Sequence, residues 1–521
     1  MRVELSAFAV LLLACAATAQ PTPGAAACTS LKAFKVPGVA LEITKLYWRA
    51  AGSTPPPAGP GGAGPASALK LPAYCRVDGA IDRRTGGDGK PYAIGFAITL
   101  PDNWNGRFLQ QGGGGLNGNV AFPLGAAAAG ATPALLRGFA VVTTDTGHAG
   151  TGFDSSFMRE QQSALDFAYQ AVGRVASLAK LIVAQYYGRP AAHSYFAGCS
   201  TGGREGMLMT ERYPTYFDGV VVGAPAMRTN FSGIGDEWVA VALNQIAPKD
   251  ANGRPVTRQA LSDSDKKTVI DGILNQCDAA DGAKDGLVFN TKCRFDPKLL
   301  VCKGPKVDGC LSAEQAAALE KGFGGPKDSK GRQVYPGFPF DTGIAATQGI
   351  PGHLNGGLNP VGPPFTATGM DVDARAEAAL NPNAMLTMTS GWTDLNTFSN
   401  RGGKLLFYHG VSDPWFSAND TIDYYERMTA ANGGASQVKN WSRLYLVPGM
   451  GHCGGGAATL DTFDLLGAVV DWVEKGSAPD NVIATGRAFP GRSRPMCAYP
   501  QHAHYKGSGD VETGNNFECR E

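Results

Sequence analysis

The residues most suited to chemistry are a serine and a histidine that each adjoin a cysteine. Ser200 follows Cys199 in Gly-Cys-Ser-Thr-Gly, and His452 directly precedes Cys453. The first segment has the form G-x-S-x-G, which presents a nucleophilic serine when it lies between a strand and a helix. If Ser200 and His452 hydrogen-bond, their cysteine neighbours are close enough to form a disulfide. The pattern predicts serine attack on a carbonyl carbon, as in ester hydrolysis.

A serine hydroxyl needs a base to accept its proton, and that base needs an acid to orient it. Asp413 and His452 each follow a short apolar run, and the order Ser, Asp, His at successive strand ends is that of α/β-hydrolases. We predict Ser200 as nucleophile, His452 as base and Asp413 as orienting acid. Asp420 and His409 are the nearest rivals. The alternatives are a glycine-rich turn, a turn-initiating aspartate and a loop histidine.

The tetrahedral intermediate of such a reaction needs backbone N–H groups directed at its oxyanion. Thr201, immediately after the nucleophile, is predicted to supply one of them. The glycine run 112–115, which leaves an early strand, is predicted to supply the other through Gly113 or Gly114. An ordinary glycine-rich turn is the alternative for this run.

A second cluster of interest is acidic. Asp278, Asp281 and Asp285 lie between Cys277 and Cys293. Three carboxylates so close repel one another unless a cation lies among them, and oxygen ligands suit calcium. A solvated acidic helix face is the alternative, although the interspersed glycines argue against a helix. The spacing is not that of an EF-hand.

These residues need a scaffold, and short apolar runs supply the signal for one. The runs are too short for helices and resemble buried strands of a parallel sheet. They are 139–143, 194–197, 219–222, 405–408 and 444–447, and two alternating segments at 93–100 and 107–111 also look like strands. Helical patterns at 164–187 and 201–213 alternate with them. The alternation predicts an α/β fold: an α/β-hydrolase core with a mostly parallel sheet covered by helices on both faces.

The interval 232–400 breaks this rhythm with clustered cysteines, many glycines and prolines, and a helical stretch at 313–321. We predict that it is a large lid domain, with the calcium site, inserted between two strands. The hydrolase core then consists of 20–231, with the nucleophile, and 401–521, with the aspartate and histidine. A chain of 521 residues exceeds the usual size of one core, as this division requires.

The N-terminus is typical of an export signal. Met1 and Arg2 precede an apolar stretch at 7–17 and a small-residue motif at 17–19, so 1–19 is predicted to be a signal peptide of a secreted or periplasmic protein. A buried N-terminal helix is one alternative, and a lipid anchor at Cys15 is a less favoured one. No other apolar run is long enough to cross a bilayer. With 46 basic against 45 acidic residues, the charge argues against nucleic acid as a partner.

Loss of the leader leaves ten cysteines, and an even count in an exported chain favours disulfides. Parity does not give the pairing, and free buried thiols remain the alternative. The sequence clusters suggest Cys28 with Cys75, Cys277 with Cys293, Cys302 with Cys310, Cys497 with Cys519, and Cys199 with Cys453.

Taken together, these motifs resemble the tannase and feruloyl esterase family, which includes mono(2-hydroxyethyl) terephthalate hydrolases. The resemblance is carried by the Cys-Ser, Asp and His-Cys constellation, by Cys277-Asp-Ala-Ala-Asp-Gly-Ala-Lys-Asp-Gly-Leu, and by Arg494-Pro-Met-Cys497-Ala-Tyr-Pro. It extends over nearly the whole mature chain. It implies an α/β-hydrolase core, a lid with structural calcium, and hydrolysis of esters of aromatic carboxylic acids.

Carried over by motif, the resemblance implies specific ligands. Calcium would be held by the carboxylates of Asp278, Asp281 and Asp285 and the backbone carbonyls of Ala283 and Leu287. The Cys199–Cys453 bridge would join the catalytic loops.

The leading prediction is a secreted serine carboxylesterase of feruloyl esterase or tannase type that works through an acyl-enzyme. Its partner would be a small aromatic ester, free or attached to plant polysaccharide. Aromatic side chains could clamp the ring, with core packing as the alternative for each: Trp392, Phe398, Phe338, Phe365, Trp415 and Phe416. Other readings are a mono(2-hydroxyethyl) terephthalate-type hydrolase, acyl transfer to another alcohol, and a non-catalytic phenolic- or carbohydrate-binding protein on a hydrolase scaffold.

Overall fold

The structure is a computed structural model that describes residues 23–56, 69–125, 130, 132–150, 152–347, 349–356, 359 and 362–521. The predicted signal peptide, 1–19, and the alternative anchor at Cys15 lie outside these residues.

A nine-stranded sheet forms the centre of the molecule. Its strands are β1 (Leu41–Arg49), β2 (Tyr74–Thr85), β3 (Pro91–Pro101), β4 (Arg107–Gln111), β5 (Ala140–Thr144), β6 (His193–Cys199), β7 (Gly219–Gly223), β8 (Lys404–Gly410) and β9 (Ser442–Val447), in the spatial order β1-β2-β3-β5-β4-β6-β7-β8-β9. The first three are antiparallel to their neighbours, and the six strands β4 to β9 run parallel to one another. The mostly parallel sheet predicted from the apolar runs is confirmed.

Helices cover both faces of this sheet, and further helices lie in the stretch between β7 and β8. They are α1 (Ala25–Ser30), α2 (Gln161–Leu165), α3 (Ala171–Tyr187), α4 (Thr201–Glu211), α5 (Thr229–Asn244), α6 (Asp263–Cys277), α7 (Ala313–Phe323), α8 (Val372–Ala378), α9 (Pro382–Thr387), α10 (Asn396–Asn400), α11 (Ala418–Ala431), α12 (Ala435–Val438) and α13 (Leu465–Lys475). Two short hairpins follow, β10 (Asn481–Thr485) with β11 (Ser493–Cys497) and β12 (His502–Tyr505) with β13 (Phe517–Arg520).

Alternation along the central strands divides the core into two layers, because successive side chains of a strand point to opposite faces. Phe196 and Phe407 pack with α3, α4 and α11 on one face. Tyr195 and Tyr408 pack with α13 and the C-terminal hairpins on the other. Burial on both faces explains why these strands read as continuous apolar runs.

The chain between β7 and β8 carries α5 to α10 and has an apolar core of its own, in which Val239, Ile273 and Leu319 are buried. The interval 232–400, predicted as a lid, lies within this stretch and is called the lid segment below. Helices α6 and α7 each begin with a capping box, in which a serine and the side chain three residues later satisfy each other's backbone N–H groups.

Five disulfides are present among the described residues, and they join the same pairs that the sequence clusters suggest: Cys28–Cys75, Cys199–Cys453, Cys277–Cys293, Cys302–Cys310 and Cys497–Cys519. Multiple disulfides are typical of proteins in an oxidising, extracellular environment.

One helical stretch in the described part of the chain, Gln161–Tyr187, is long and apolar enough to cross a membrane by length and composition. Its residues Val175, Ile182 and Tyr186 are buried in the core on one face of the sheet. It therefore has the position of a core helix.

Candidate active site

Ser200 lies on the sharp turn between β6 and α4. Its φ of 65° and ψ of −124° are values that non-glycine residues rarely adopt, as at a nucleophile elbow. The flanking glycines are required by space: a β-carbon on Gly198 would lie 2.5 Å from the carbonyl oxygen of Gly202, and one on Gly202 would lie 2.6 Å from that of Gly113. The Ser200 N–H donates to Gly223 O at 3.0 Å and ties the turn to β7. The G-x-S-x-G pattern thus reflects close backbone packing around the serine.

Asp413 and His452 are paired after β8 and β9. The Nδ1 of His452 lies 2.7 Å from Oδ2 of Asp413, and both side chains are buried. The other carboxylate oxygen accepts the backbone N–H groups of Trp415 at 2.9 Å and Phe416 at 3.1 Å. Burial alone would raise the pKa of Asp413, but the nearby His452 and the imidazole of His409 outweigh it and lower that pKa. Asp413 therefore stays ionised and orients His452.

The two rival residues are committed elsewhere. Nε2 of the buried His409 lies 2.9 Å from Phe416 O, which can only accept, so Nε2 carries the proton and Nδ1 accepts from Thr421 at 2.8 Å. Asp420 forms an ion pair with Arg228. Both ring nitrogens of His409 are already hydrogen-bonded, and Asp420 is paired with Arg228, so neither side chain is available to take a proton from Ser200 or to orient His452.

The Cys199–Cys453 disulfide brings the serine and histidine loops together. Its Cα atoms lie 5.9 Å apart although the two cysteines are 254 residues apart in sequence. Since Ser200 and His452 each adjoin one of these cysteines, the bridge fixes their backbones as neighbours.

The glycine run 112–115 lies against the start of α4. The Gly113 N–H donates to Oε2 of Glu205 at 2.9 Å, so this predicted oxyanion donor is already used. Gly114 is different: no atom lies within 4 Å of the place where its β-carbon would be. Among the described residues we find no acceptor for its N–H. Of the two predicted donors in this run, the structure thus leaves Gly114 available and corrects the choice of Gly113.

Thr201, the residue after the nucleophile, has a backbone N–H and a side-chain hydroxyl with different roles. As the first residue of α4, it has an N–H that no carbonyl within the helix can accept. Its hydroxyl donates to the carbonyl oxygen of Gly115. The residue after the nucleophile therefore fastens the glycine run to the helix.

Two of the predicted aromatic residues flank the histidine. The ring centres of Trp415 and Phe416 lie 4.9 Å and 5.1 Å from that of His452. Phe153, which sequence reasoning missed, packs edge-to-face on Trp415 at 5.8 Å and is 36% exposed. Its loop carries no motif, and only the fold brings it to this place.

Among the described residues, the other aromatic candidates make no ring contact with His452. Phe398 is fully buried in the core beside the sheet, which corrects its prediction as a substrate contact. Trp392 is exposed, and its ring lies 6.0 Å from Arg212, which follows the last residue of α4. Its ring is thus placed beside the side chain of Arg212, and a role in substrate binding stays a prediction.

The remaining two aromatic candidates belong to the lid segment. Phe338 is buried and packs against His353, with ring centres 4.2 Å apart. Phe365 lines a small cavity together with His353, Asp236 and Pro414. Phe338 and Phe365 are thus both close to His353 of the lid segment, and the cavity that Phe365 lines is bordered by Pro414, which follows Asp413.

Asp341 of the lid segment is a further residue that the sequence did not single out. Its Oδ2 accepts the Ser412 hydroxyl at 2.6 Å and the Gly449 N–H at 2.6 Å. Ser412 precedes Asp413, and Gly449 lies in the loop that carries His452. This buried carboxylate thus joins the acid loop to the histidine loop.

The predicted calcium residues share one loop of the lid segment. Asp278 accepts the N–H groups of Asp285 and Gly286, and Asp281 accepts that of Ala283 at 3.2 Å. Burial raises the pKa of Asp281 to about 7, and the charges of Asp285 and Asp278 add to this against the effect of the Ala283 N–H.

The third carboxylate of this loop has a different partner. Asp285 pairs with the fully buried Arg494, whose Nε lies 3.1 Å from its Oδ2. Ala283 and Leu287, whose carbonyls were predicted as ligands, are both buried. Within the described ranges, no three His, Cys, Asp or Glu side chains converge as metal ligands.

Fold and site together define a serine-hydrolase type of α/β-hydrolase, and comparison with known proteins gives the family. The sequence matches the family "Tannase and feruloyl esterase" over residues 75–359 and 358–520. The chain belongs to this family and is a carboxylic ester hydrolase.

Individual relatives align over most of the chain. The sequence is 38% identical to mono(2-hydroxyethyl) terephthalate hydrolase of Piscinibacter sakaiensis, covering 96% of this chain and 92% of that one. It is 33% identical to a protein of Aspergillus terreus described as "Probable feruloyl esterase B-2", covering 85% and 86%. The crystal structure of feruloyl esterase B from Aspergillus oryzae superposes with a TM-score of 0.75 at 27% identity, over 95% of this chain and 99% of that chain. The α/β-hydrolase fold predicted from the sequence is thereby confirmed.

Proposed function

We propose that this protein hydrolyses esters of aromatic carboxylic acids by forming an acyl-enzyme on Ser200. The observation that carries the proposal is the joining of the Ser200 turn to the His452–Asp413 pair by the Cys199–Cys453 disulfide. The aromatic specificity is supported by the feruloyl esterase relatives and by the rings beside His452.

In the proposed reaction, Nε2 of His452 accepts the hydroxyl proton of Ser200 as the oxygen attacks the ester carbonyl. The Nδ1–H of His452 donates to Asp413, which stabilises the imidazolium that forms. The Thr201 and Gly114 N–H groups stabilise the oxyanion, with support from the positive end of α4. His452 then returns the proton to the departing alcohol, and water repeats the sequence to release the acid.

The rings of Trp415 and Phe416 lie beside the imidazole and so border the place where the acyl group must bind. Aromatic side chains bind a planar ring by offset or edge-to-face contact. The exposed edge of Phe153 extends this surface toward solvent. An ester of a phenolic acid, either small and free or attached to plant polysaccharide, is the substrate class that this surface favours.

A second candidate substrate is the monoester of terephthalic acid with ethylene glycol. The 38% identity to mono(2-hydroxyethyl) terephthalate hydrolase favours it. It uses the same catalytic residues and differs in the acid group opposite the scissile ester.

The test is a panel of methyl ferulate, methyl gallate and mono(2-hydroxyethyl) terephthalate, with wild type and Ser200→Ala. We expect turnover of at least one ester by wild type and its loss in the folded variant. Ligand binding without turnover by wild type would instead favour the non-catalytic phenolic- or carbohydrate-binding alternative. Added methanol or ethylene glycol distinguishes hydrolysis from acyl transfer, since a transferase would form the new ester.

We also propose that the loop from Asp278 to Leu287 binds a structural calcium ion. The available donors are all oxygens, which fits calcium, and a cation would offset the charge of the buried Asp281. The bound ion would hold the loop in place and would take no part in the chemistry.

Calcium binding is tested by elemental analysis of the purified protein and by its melting temperature with calcium and with chelator. We expect calcium to raise the melting temperature of wild type and to do so less in Asp281→Asn. Asp271→Asn, a change of the same kind at an exposed pair with Lys267, is the control. An unchanged melting temperature on chelation, with no bound metal, would exclude the site.

Finally, we propose export to the periplasm or medium with removal of 1–19. Five disulfides support an oxidising destination. N-terminal sequencing of the mature protein tests this: a start at Gln20 is expected, whereas a lipid-modified start at Cys15 would favour anchoring.

A further inference from the structure

The glycine run 112–115 is held in place by a buried carboxylate behind the nucleophile. Glu205 lies in the second turn of α4 and is 1% exposed. Its Oε2 accepts the Gly113 N–H at 2.9 Å, and its Oε1 accepts from the side-chain amide of Asn117 at 2.6 Å. A buried carboxylate is costly unless its oxygens are hydrogen-bonded, so these two contacts are required by its position.

The adjacent cation, Arg204, does not form an ion pair with this carboxylate. The adjacent Arg204 donates its guanidinium N–H groups to the carbonyls of Ala168 and Phe167, at 2.8 Å and 3.0 Å. In the described part of the chain, Glu205 forms no ion pair. Its oxygens are thus available to the glycine run and its neighbour.

The residues on both sides of Gly114 are fastened to α4. The Gly113 carbonyl accepts the Gly202 N–H at 3.0 Å while its own N–H is held by Glu205. The Gly115 carbonyl accepts the Thr201 hydroxyl. Gly114, with open space beside it, is the residue of the run that these contacts present.

From these contacts we infer that Glu205 is a positioning residue: by accepting the Gly113 N–H, it fixes the 112–113 peptide and so the start of the next peptide, whose Gly114 N–H is directed at the oxyanion. The inference rests on the proposed function, because it assigns Glu205 to the oxyanion site of that reaction. Glu205 itself touches neither substrate nor the reacting atoms. Glu205 contributes a hydrogen-bond acceptor on a side chain long enough to meet the Gly113 N–H, and its negative charge matters less than that position.

Three substitutions separate reach from charge. Glu205→Gln keeps an acceptor at the same reach without the charge, and we expect its kcat to stay within about threefold of wild type. Glu205→Asp keeps the charge but is one methylene shorter, and Glu205→Ala removes the acceptor. For both we expect kcat to fall, by about 10-fold and about 100-fold, since loss of one oxyanion donor costs roughly 100- to 1,000-fold. KM should change little.

A second measurement compares the affinities of wild type and variants for an inhibitor that occupies the oxyanion site. A phosphonate or boronate that forms a tetrahedral adduct with Ser200 should bind Glu205→Ala more weakly than wild type by a factor similar to the loss in kcat. The acid product, which has no tetrahedral centre, should bind both equally. Glu211→Ala, a deletion of the same group at the far end of α4, is the control and should leave both affinities unchanged.

Failure of the positioning role and failure of the proposed function would give different results. An inactive wild type, or an active Ser200→Ala, would defeat the proposed function whatever the Glu205 variants do. If wild type is active through Ser200, then normal kcat in Glu205→Ala, or a Glu205→Gln variant as impaired as Glu205→Ala, would overturn the positioning role. If Glu205→Ala does not fold, Glu205→Gln is compared with Glu205→Asp. A Gln variant less active than the Asp variant would show that the negative charge is required, and not the side-chain length that places the acceptor, and it would overturn the positioning role.

Discussion

Removal of the Cys199–Cys453 disulfide tests how the catalytic loops are held together. We expect the double variant Cys199→Ala with Cys453→Ala to have a lower kcat than wild type even under conditions in which the variant is fully folded. The bridge joins the residue before Ser200 to the residue after His452. It therefore acts on the alignment of nucleophile and base, and also on the entropy of the unfolded chain.

The stability part of the effect can be worked from the loop length. For a sequence separation of 254, the chain-entropy relation gives about 5.5 kcal/mol at 25 °C, just above the range of about 0–5 kcal/mol that is measured. For Cys302–Cys310, with a separation of 8, the same relation gives about 2.5 kcal/mol. The second bridge lies in the lid segment before α7. It serves as the control for cysteine removal as such.

The activity part follows from geometry. His452 keeps its bond to Asp413 in the variant, so the base remains oriented. What is lost is the covalent limit on the separation of the Ser200 and His452 backbones. A misplacement of about 1 Å can cost roughly 100-fold in rate, and we expect kcat to fall by about that factor with a smaller change in KM.

The assay is steady-state kinetics on the best ester of the panel, well below the melting temperature of each variant, with stability from urea unfolding. Wild-type kcat in the folded Cys199/Cys453 variant would refute the reasoning. An equal loss of kcat in the Cys302/Cys310 variant would also refute it, because the effect would then follow general destabilisation.

Three further outcomes are expected. Asp413→Asn should lower kcat about 10⁴-fold with native circular dichroism, because an amide cannot hold His452 in the required tautomer; a loss below tenfold would contradict this role. Arg494→Met in calcium-free buffer should destabilise the fold by about 3–5 kcal/mol in urea unfolding, because it leaves the buried Asp285 unpaired; unchanged stability would contradict that. Burial lowers the pKa of His353 to about 4, so the unfolded chain binds its proton first and stability falls as pH drops from about 6.5 to 4. His353→Phe should remove up to roughly 3 kcal/mol of that acid loss, measured as unfolding free energy against pH, and an acid limb identical to that of wild type would exclude the assignment.

The parts of the structure that follow from local chemistry could be predicted from the sequence. Strands β5 to β9 are buried on both faces, so each contains an apolar run that can be recognised without knowledge of its partner strands. The turn at Ser200 requires glycines where backbones nearly touch, and this leaves a fixed spacing in the chain. The cysteines beside Ser200 and His452 mark the two loops that meet.

The parts that depend on distant partners could not be predicted in this way. Strand β2 (Tyr74–Thr85) contains Arg76 and Asp78 and gives no clean alternation, yet it pairs over most of its length with β1 and β3. Glu205 acquires its role from Gly113, 92 residues away. An isolated glutamate in a helix carries no signal that its carboxylate will accept a hydrogen bond from a loop N–H.

Asp341 shows why the lid segment belongs to the catalytic scaffold as well as covering it. The acid loop and the histidine loop both come from the core, but the buried carboxylate that bonds Ser412 and Gly449 comes from the lid segment. The Asp413–His452 distance is thus set from two sides, by the ends of β8 and β9 and by the lid segment above them. A change in the lid segment that moves Asp341 would therefore shift the acid loop and the histidine loop at once.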